Sequence, residues 1–513
     1  MDWNEEVDVI AVGTGGGMAG AYTAAREGLR VAVIEATEKF GGTTSYSAGG
    51  GVWFPVNPVL MQAGTDDTIE DAHEYFHAVV GDRTPKDLQE TYVDRGRTAI
   101  EYFLEDPALA FMAYPWPDYF GKAPKAKLDG MRHIVPAPLP LNEIGEELAS
   151  KIRGPLDNDR LGVPADNTML IGGRALVGRF LVGLSKYPNA SLHLNTALVE
   201  LVTDAGGNVE GAIVERDGER IAIRANKGVI LAAGGFEQND ELRTKYGVPG
   251  VARDTMGPWG NEGKALEAAQ AVGADTDLLD QAWWSPGMTH PDGRSAFALW
   301  FTGGIFVNQD GNRFVDESAP YDRLGRDIIR QLNDGSATLP YWMIYDDKEG
   351  EVPPCKASNV SMVETEKYVD AGLWHTADTL PELAAKIGVP AENLVATVER
   401  FNKLVGTGVD DDFGRGDEAY DRSFTEGQSP LVTIEQGPFH AAQFGISDLG
   451  TKGGLRTDAK ARVLNANGEV IGGLYAAGNT MAAVSGEVYP GGGNPIGASV
   501  LFSHLAALDI AGK

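Results

Sequence analysis

A strand, a glycine turn, a helix and a second strand open the chain. Two further apolar strands ending in small residues recur far downstream, around 229–235 and 474–479, with a loop- and aromatic-rich stretch between them. Together these predict an α/β fold: a discontinuous Rossmann-like domain, residues 1–281 and 450–513, carrying an inserted α+β capping domain, residues 282–449. A length of 513 residues exceeds what one core usually supports, in keeping with two domains.

The first element is the β-branched apolar run Val7-Asp8-Val9-Ile10-Ala11-Val12, the composition of a buried parallel strand. Gly13-Thr14-Gly15-Gly16-Gly17 follows, then a helical pattern from Met18 to Glu27, stopped by Gly28. Arg30 to Glu35 reads as the next strand, and its terminal carboxylate stands where it can take ribose hydroxyls. Gly13, Gly15, Gly16, Gly17 and Glu35 are therefore candidate contacts to a dinucleotide. The third glycine of the turn falls at Gly17, one residue short of the G-x-G-x-x-G spacing.

Nicotinamide and flavin dinucleotides both use such a framework. The next segment, Phe40-Gly41-Gly42-Thr43-Thr44-Ser45-Tyr46, favours flavin. A GG-T-S run beyond the acidic strand resembles the second pyrophosphate and ribityl contact of FAD enzymes of the glutathione-reductase-like type. On that resemblance Gly41, Gly42, Thr43, Thr44 and Ser45 are candidate FAD contacts. Val229 to Gly235 supplies Ala233 and Gly234, and Leu474 to Asn479 supplies Gly478 and Asn479, as the strand ends that approach the flavin. Leu192 to Leu201 reads as one strand feeding a meander over Asn208–Arg224, which puts Leu198 near the adenine.

Composition narrows the partners. The formal net charge of −30 repels nucleic acid and anionic lipid heads, whereas backbone N–H groups at a helix N-terminus still bind a pyrophosphate. The single cysteine, Cys355, forms no internal disulfide and reads as a buried thiol in a reducing compartment. The first residues are acidic, without the pattern of a signal peptide, and no apolar run reaches the ~18 residues that span a bilayer. A cytoplasmic protein without stable membrane insertion is expected.

Several motifs carry less than they suggest. His73-Glu74-Tyr75-Phe76-His77 matches a zinc signature, but no third ligand follows and its neighbours are acidic, so it reads as an exposed helix face. Asp410-Asp411-Asp412 lacks the alternating oxygens of a calcium loop and reads as solvated surface. Three tyrosines hold more interest. Tyr119 sits in an aromatic, proline-bounded loop, Tyr321 follows a strand-like stretch ending at Pro320, and Tyr489 precedes Pro490-Gly491-Gly492-Gly493-Asn494-Pro495-Ile496 at a helix start.

With these segments the chain resembles the 3-ketosteroid Δ1-dehydrogenases nearly end to end, within a superfamily that includes fumarate reductases. The carrying residues are the flavin turn, Gly172-Gly173-Arg174-Ala175-Leu176, Ala232 to Gly235, Asp280 to Trp284, Asn308 to Tyr321, Ser447 to Gly454 and Tyr489 to Gly493. The resemblance implies Tyr321 as base, Tyr119 as its helper, Tyr489 and Gly493 as binders of the 3-keto oxygen, and Asn494, Pro495 and Ile496 beside the flavin. Gly492 stands where the family often has proline, which leaves the Gly493 amide available.

The chemistry implied is 1,2-dehydrogenation in steroid degradation: a proton leaves carbon 2 for a tyrosine and a hydride leaves carbon 1 for flavin N5. The substrate is a 3-ketosteroid, and an external electron acceptor reoxidises the flavin. Loss of an α-proton needs an enolate-stabilising site, in which one donor contributes ~2.7–4 kcal/mol. A phenol titrating near ~10 in water needs help to act as base. A hydrocarbon substrate suits a pocket lined by Trp283, Trp284, Trp300 and Phe301. A fumarate-reductase-like enzyme would instead need cationic carboxylate clamps, for which Arg323 and Arg326 are better read as structural. A 3-ketosteroid 4,5-desaturase would share the flavin fold and the keto site.

Overall fold

The opening strand, Glu5–Val12, has parallel neighbours on both sides: Val31–Ile34 and Glu219–Leu231. Ala190–His193 extends the sheet beyond Val31–Ile34, and Val470–Ala476 extends it beyond Glu219–Leu231. Val9, Ile10, Val31, Val33, Val229 and Ile230 are buried, as parallel strands covered on both faces require. Helix Met18–Arg26 lies along the C-terminal helix Asn494–Ala511. Their closeness depends on Gly20, where a Cβ would sit 2.6 Å from the Ser503 carbonyl oxygen.

The computed structural model describes residues 2–357 and 360–513. The chain divides into two compact units: Met1–Ala252, Gly257–Ala282 and Gly450–Lys513 in the first, Arg253–Met256 and Trp283–Leu449 in the second. Among the described residues no helix is long and apolar enough to cross a membrane.

The single strand expected over Leu192–Leu201 is two. Ala190–His193 pairs parallel with Val31–Ile34, whereas Thr196–Thr203 runs antiparallel to Val209–Arg216. The chain turns between them at Asn195, whose φ of 50° lies in the left-handed region that asparagine tolerates.

The second unit is built on a sheet ordered Ile305–Val307, Tyr341–Asp346, Phe439–Thr451, Ala282–Thr289, Ser295–Leu299 and Lys356–Ala357. Ile305, Val307, Ile344, Leu383, Leu394 and Phe401 form a core beside it. Two sequence expectations are corrected here. The stretch ending at Pro320 is not a strand: after Val307 the chain is irregular until helix Tyr321–Asp334 begins. Side-chain chemistry replaces strand pairing there. The buried Glu317 carboxylate accepts the Phe306 N–H at 2.9 Å and pairs with Arg313 at 2.8 Å and Arg415 at 3.1 Å.

Asp410, expected on the solvated surface, is buried. Its carboxylate meets Arg313 Nη1 at 2.8 Å and accepts the backbone N–H of Asp412, Phe413 and Arg415, while Asp411 and Asp412 stay exposed. Cys355 is buried, and burial raises its thiol pKa far above the usual value.

Candidate active site

In the first unit the glycine turn is held against the end of strand Glu219–Leu231. A Cβ at Gly17 would meet the Ala232 Cβ at 2.6 Å, so the shortened turn is packed tight by that strand. Gly13 has φ +96°, and its Cβ would collide with the backbone of Ala232 and Ala233. Gly15 faces the Thr44 hydroxyl, while Gly16 and Gly478 both close on Ser499. Glu35 is buried and already engaged. Its Oε1 accepts the Thr37 N–H at 3.0 Å and the Thr37 hydroxyl at 2.8 Å, and its Oε2 accepts the Thr14 hydroxyl. Thr14 Oγ1 accepts the Gly41 N–H at 2.9 Å, which ties the turn to the second glycine segment.

That segment forms a short helix, Gly42–Tyr46. The Thr43 hydroxyl accepts from Asn261 Nδ2 at 2.9 Å. Downstream, the Ala233 N–H donates to Thr480 Oγ1 at 2.9 Å, and the Thr480 hydroxyl donates to the Gly234 carbonyl at 2.8 Å. Gly478, Asn479 and Thr480 make one 3₁₀ turn. Leu198 is buried on Thr196–Thr203. Thr14, Thr37, Asn261, Thr480 and Ser499 escaped sequence reasoning, since single hydroxyl and amide residues carry no spacing signal. Thr14, inside the glycine turn, was the one with a positional clue.

Two polar groups in this cradle complete no hydrogen bond among the described residues although both are buried: Ser45 Oγ, and the side-chain nitrogen and oxygen of Asn494. Buried polar atoms are normally satisfied. Asn494, Pro495 and Ile496 form the first turn of helix Asn494–Ala511, with Gly493 as its cap at φ +88°. Orphaned donors and acceptors on two of the expected contact residues fit the polar groups of FAD.

Tyr119, Tyr489 and Gly493 come together in the first unit. The Tyr119 and Tyr489 rings have centroids 5.0 Å apart at 55°, and the Gly493 N–H donates to the Tyr489 hydroxyl at 3.3 Å. The Gly493 amide, expected to be available, is thus engaged by the tyrosine with which it was grouped. Backbone contacts hold the two loops together: the Tyr119 N–H donates to the Pro490 carbonyl at 2.9 Å, and Asp118 bridges to Gly491. The Tyr75 hydroxyl donates to the Pro490 carbonyl at 2.5 Å, and Trp116 Nε1 donates to the Tyr119 hydroxyl at 3.2 Å.

Beneath this loop pair lies a buried charge cluster. Asp118 accepts from Trp53 Nε1 at 2.8 Å, from the Lys127 N–H at 2.8 Å and from Arg132 at 2.8 Å; Arg132 also forks onto Asp67 at 2.7 Å. Burial pushes the Asp118 carboxyl up to about 6 even with Arg132 beside it. His133 is pushed down to about 4 by burial, so it is neutral, with Nδ1–H donating to the Tyr114 carbonyl at 2.8 Å. The histidines of the zinc-like motif lie elsewhere, on helix Ile69–Val80, where His73 Nε2 sits 2.7 Å from Asp94.

In the second unit Tyr321 is buried at the first position of helix Tyr321–Asp334, its ring edge-on to Phe297 with centroids 4.9 Å apart. It lines a cleft with Trp300, Phe301, Phe424, Glu317 and Asp421. Trp300 and Phe301, expected in a hydrocarbon pocket, are thus beside Tyr321, whereas Trp283 and Trp284 lie on strand Ala282–Thr289 outside that cleft. Burial and the nearby charge of Asp421 push the Asp316 carboxyl well above the usual range. Arg323 pairs with Glu418 at 3.0 Å.

A cradle of close-packed glycines, orphaned polar groups and a helix N-terminus, joined to tyrosine hydroxyls, defines a flavin-dependent oxidoreductase. The family model described as FAD binding domain matches residues 8–496, and the chain belongs to that family, binds FAD and is an FAD-dependent oxidoreductase. Its full-length relatives place it with the 3-ketosteroid Δ1-dehydrogenases. It is 37% identical to the 3-oxosteroid 1-dehydrogenase of Mycolicibacterium smegmatis, covering 99% of this chain and 97% of that one. It is 34% identical to the 4-oxocyclohexanecarboxylate 2-dehydrogenase of Sinomonas cyclohexanicum, over 99% and 93%. The structure of 3-ketosteroid delta1-dehydrogenase from Sterolibacterium denitrificans with 1,4-androstadiene-3,17-dione superposes with a TM-score of 0.89 at 29% identity, covering 99% and 100%.

Proposed function

We propose that the protein removes the hydrogens at carbons 1 and 2 of a 3-ketosteroid. The carrying observation is the cluster of Tyr489, Gly493 and Tyr119 on two loops clamped together by backbone hydrogen bonds. A ketone oxygen entering there would take the Tyr489 hydroxyl and the Gly493 N–H together, replacing the long bond they make with each other. Two such donors stabilise the enolate that forms as carbon 2 loses its proton.

Tyr321 accepts that proton in this reading, and Tyr119 is the helper of the base. Gly13 to Gly17, Glu35, the Gly41–Ser45 segment, Leu198, Ala233, Gly234, Gly478, Asn479 and Asn494 to Ile496 would hold FAD, which when bound would supply the two-electron acceptor for the hydride from carbon 1. An external acceptor then removes the electrons.

The relative that acts on 4-oxocyclohexanecarboxylate favours a second reading, in which the same keto chemistry serves a single ring bearing a carboxylate. A carboxylate needs a cation. Arg132, the buried guanidinium beside the tyrosine pair, is committed to Asp67 and Asp118, which favours the neutral steroid. No arginine or lysine occurs in Tyr489–Ile496, where a fumarate-type reductase would want one.

Anaerobic mixing of the yellow holoenzyme with a 3-ketosteroid, with 4-oxocyclohexanecarboxylate or with a saturated dicarboxylate separates these readings. Bleaching of the flavin by the steroid alone is expected. Bleaching only by the cyclic keto acid, or reoxidation of the reduced enzyme by fumarate, would overturn the steroid reading. Tyr321→Phe is expected to abolish bleaching while leaving the spectrum of bound FAD unchanged; normal turnover in that variant removes Tyr321 as base.

A further inference from the structure

The hydroxyl of Tyr119 accepts a hydrogen bond from Trp116 Nε1 at 3.2 Å. An indole nitrogen donates and never accepts. At this contact the phenol oxygen is therefore the acceptor, and its own hydrogen is directed away from the indole nitrogen. A second feature makes the contact possible. The indole lies directly over Gly492, where a Cβ would come within 2.7 Å of Trp116 Cδ1 and 2.9 Å of Nε1. Separations under about 3 Å essentially never occur for real Cβ atoms, so a side chain at 492 requires the indole or the backbone against it to shift, at the atoms that include the nitrogen hydrogen-bonded to the phenol. The backbone of Trp116 is fixed as well: its N–H donates to the Gly130 carbonyl at 3.2 Å, and Gly130, at φ +75°, has no room for a Cβ against it.

We propose that Trp116 is a positioning residue for Tyr119 and that glycine at 492 is what admits it, the two together fixing the direction of the Tyr119 hydroxyl proton. This rests on the reading of Tyr119 as helper of the base. A phenol held as acceptor at one face presents its proton along one remaining direction, and the N–H donor stabilises negative charge on the oxygen whenever that proton is shared. Trp116 acts through Tyr119, so its effect falls on the rate and its pH dependence rather than on steroid binding.

The test uses holoenzyme carrying Trp116→Phe, Gly492→Ala or both. In oxidised, ligand-free protein labelled at the tyrosine ¹³Cζ, the Tyr119 resonance is identified by its loss in Tyr119→Phe. Both single variants are expected to shift it in the same sense. Anaerobic flavin reduction by a 3-ketosteroid is expected to slow about tenfold at neutral pH, to move its pH profile up by about one unit and to leave KM nearly unchanged. The double variant is expected to be no worse than Trp116→Phe alone, because Gly492→Ala removes the same bond. An unmoved Tyr119 resonance in Trp116→Phe, a wild-type pH profile in Gly492→Ala, or multiplied effects in the double variant would each overturn the proposal. Wild-type turnover by Tyr119→Phe would refute the helper role instead, while the resonance still reports whether the Trp116 bond exists.

Discussion

Tyr119 and Tyr489 stand ring to ring with centroids 5.0 Å apart, although one comes from an early loop and the other from the turn before the last helix. The backbone bonds between Asp118–Tyr119 and Pro490–Gly491 set that distance, and ring packing adds ~0.5–1.5 kcal/mol beyond burial. Tyr489→Phe keeps the ring and, on the proposed function, removes one donor to the ketone. Stopped-flow reduction is expected to slow by about 10²–10³ with weaker steroid binding, the loss typical of one oxyanion donor. An unchanged rate and affinity would remove Tyr489 from the carbonyl site.

Arg132 underlies the same loops and is the sole cation on two buried carboxylates, Asp67 and Asp118, among the described ion pairs. Arg132→Met leaves both charges without compensation. Removing one partner of a buried pair costs about 3–5 kcal/mol. Chemical denaturation at pH 7 is expected to show a loss of that order, partly recovered when Asp118→Asn is added. A variant as stable as wild type would mean that water reaches the cluster and screens it.

What the sequence made legible follows from how local each signal is. Val7 to Glu35 could be read because β-branched runs, glycines and a helical period are encoded within a few residues of where they act. The break at Asn195 was hidden because Leu192 to Leu201 carries apolar residues on both sides of it with no glycine or proline between, and only pairing with two different partners divides it. Asp410 resembled surface because its neighbours are acidic; Arg313, nearly a hundred residues earlier in the chain, buries it. The tyrosines of the site were found through family resemblance, whereas the Trp116–Gly492 contact depends on a ring meeting a missing Cβ and has no sequence signature.

Acid should weaken the first unit through buried neutral histidines. His504 lies on the C-terminal helix against Tyr102 and Phe103, with Nδ1 2.8 Å from Thr23 Oγ1, and burial pushes it down to about 3. Its folded pKa is below the unfolded value near ~6.5, so the unfolded chain binds the extra proton. Stability is therefore full above about pH 6.5 and lost as pH falls toward 3; His133, held near 4, adds in the same direction. Urea unfolding is expected to show stability falling between pH 6.5 and 4.5. His504→Gln keeps a hydrogen-bonding group without the charge and should reduce that slope; an identical slope would assign the acid sensitivity elsewhere.

Asn494 offers the most direct test of the cofactor cradle in this chain. Its amide is buried at the start of the last helix, and neither its nitrogen nor its oxygen completes a hydrogen bond among the described residues, although the Tyr92 hydroxyl lies close by, donating to the Asn494 backbone carbonyl at 3.3 Å. An unsatisfied buried amide costs about 1–3 kcal/mol, a cost that bound FAD would offset if, as proposed, Asn494 is one of its contacts. Asn494→Leu, close in volume, would lose that interaction with FAD while relieving the cost in the empty protein. Flavin affinity, measured by reconstituting deflavinated protein and following fluorescence quenching, is expected to fall about tenfold or more. The deflavinated variant is expected to melt at the same temperature as deflavinated wild type or higher, since it no longer buries an unpaired amide. Undiminished FAD affinity together with a lower melting temperature would make Asn494 a structural residue of the helix start and remove it from the cofactor contacts.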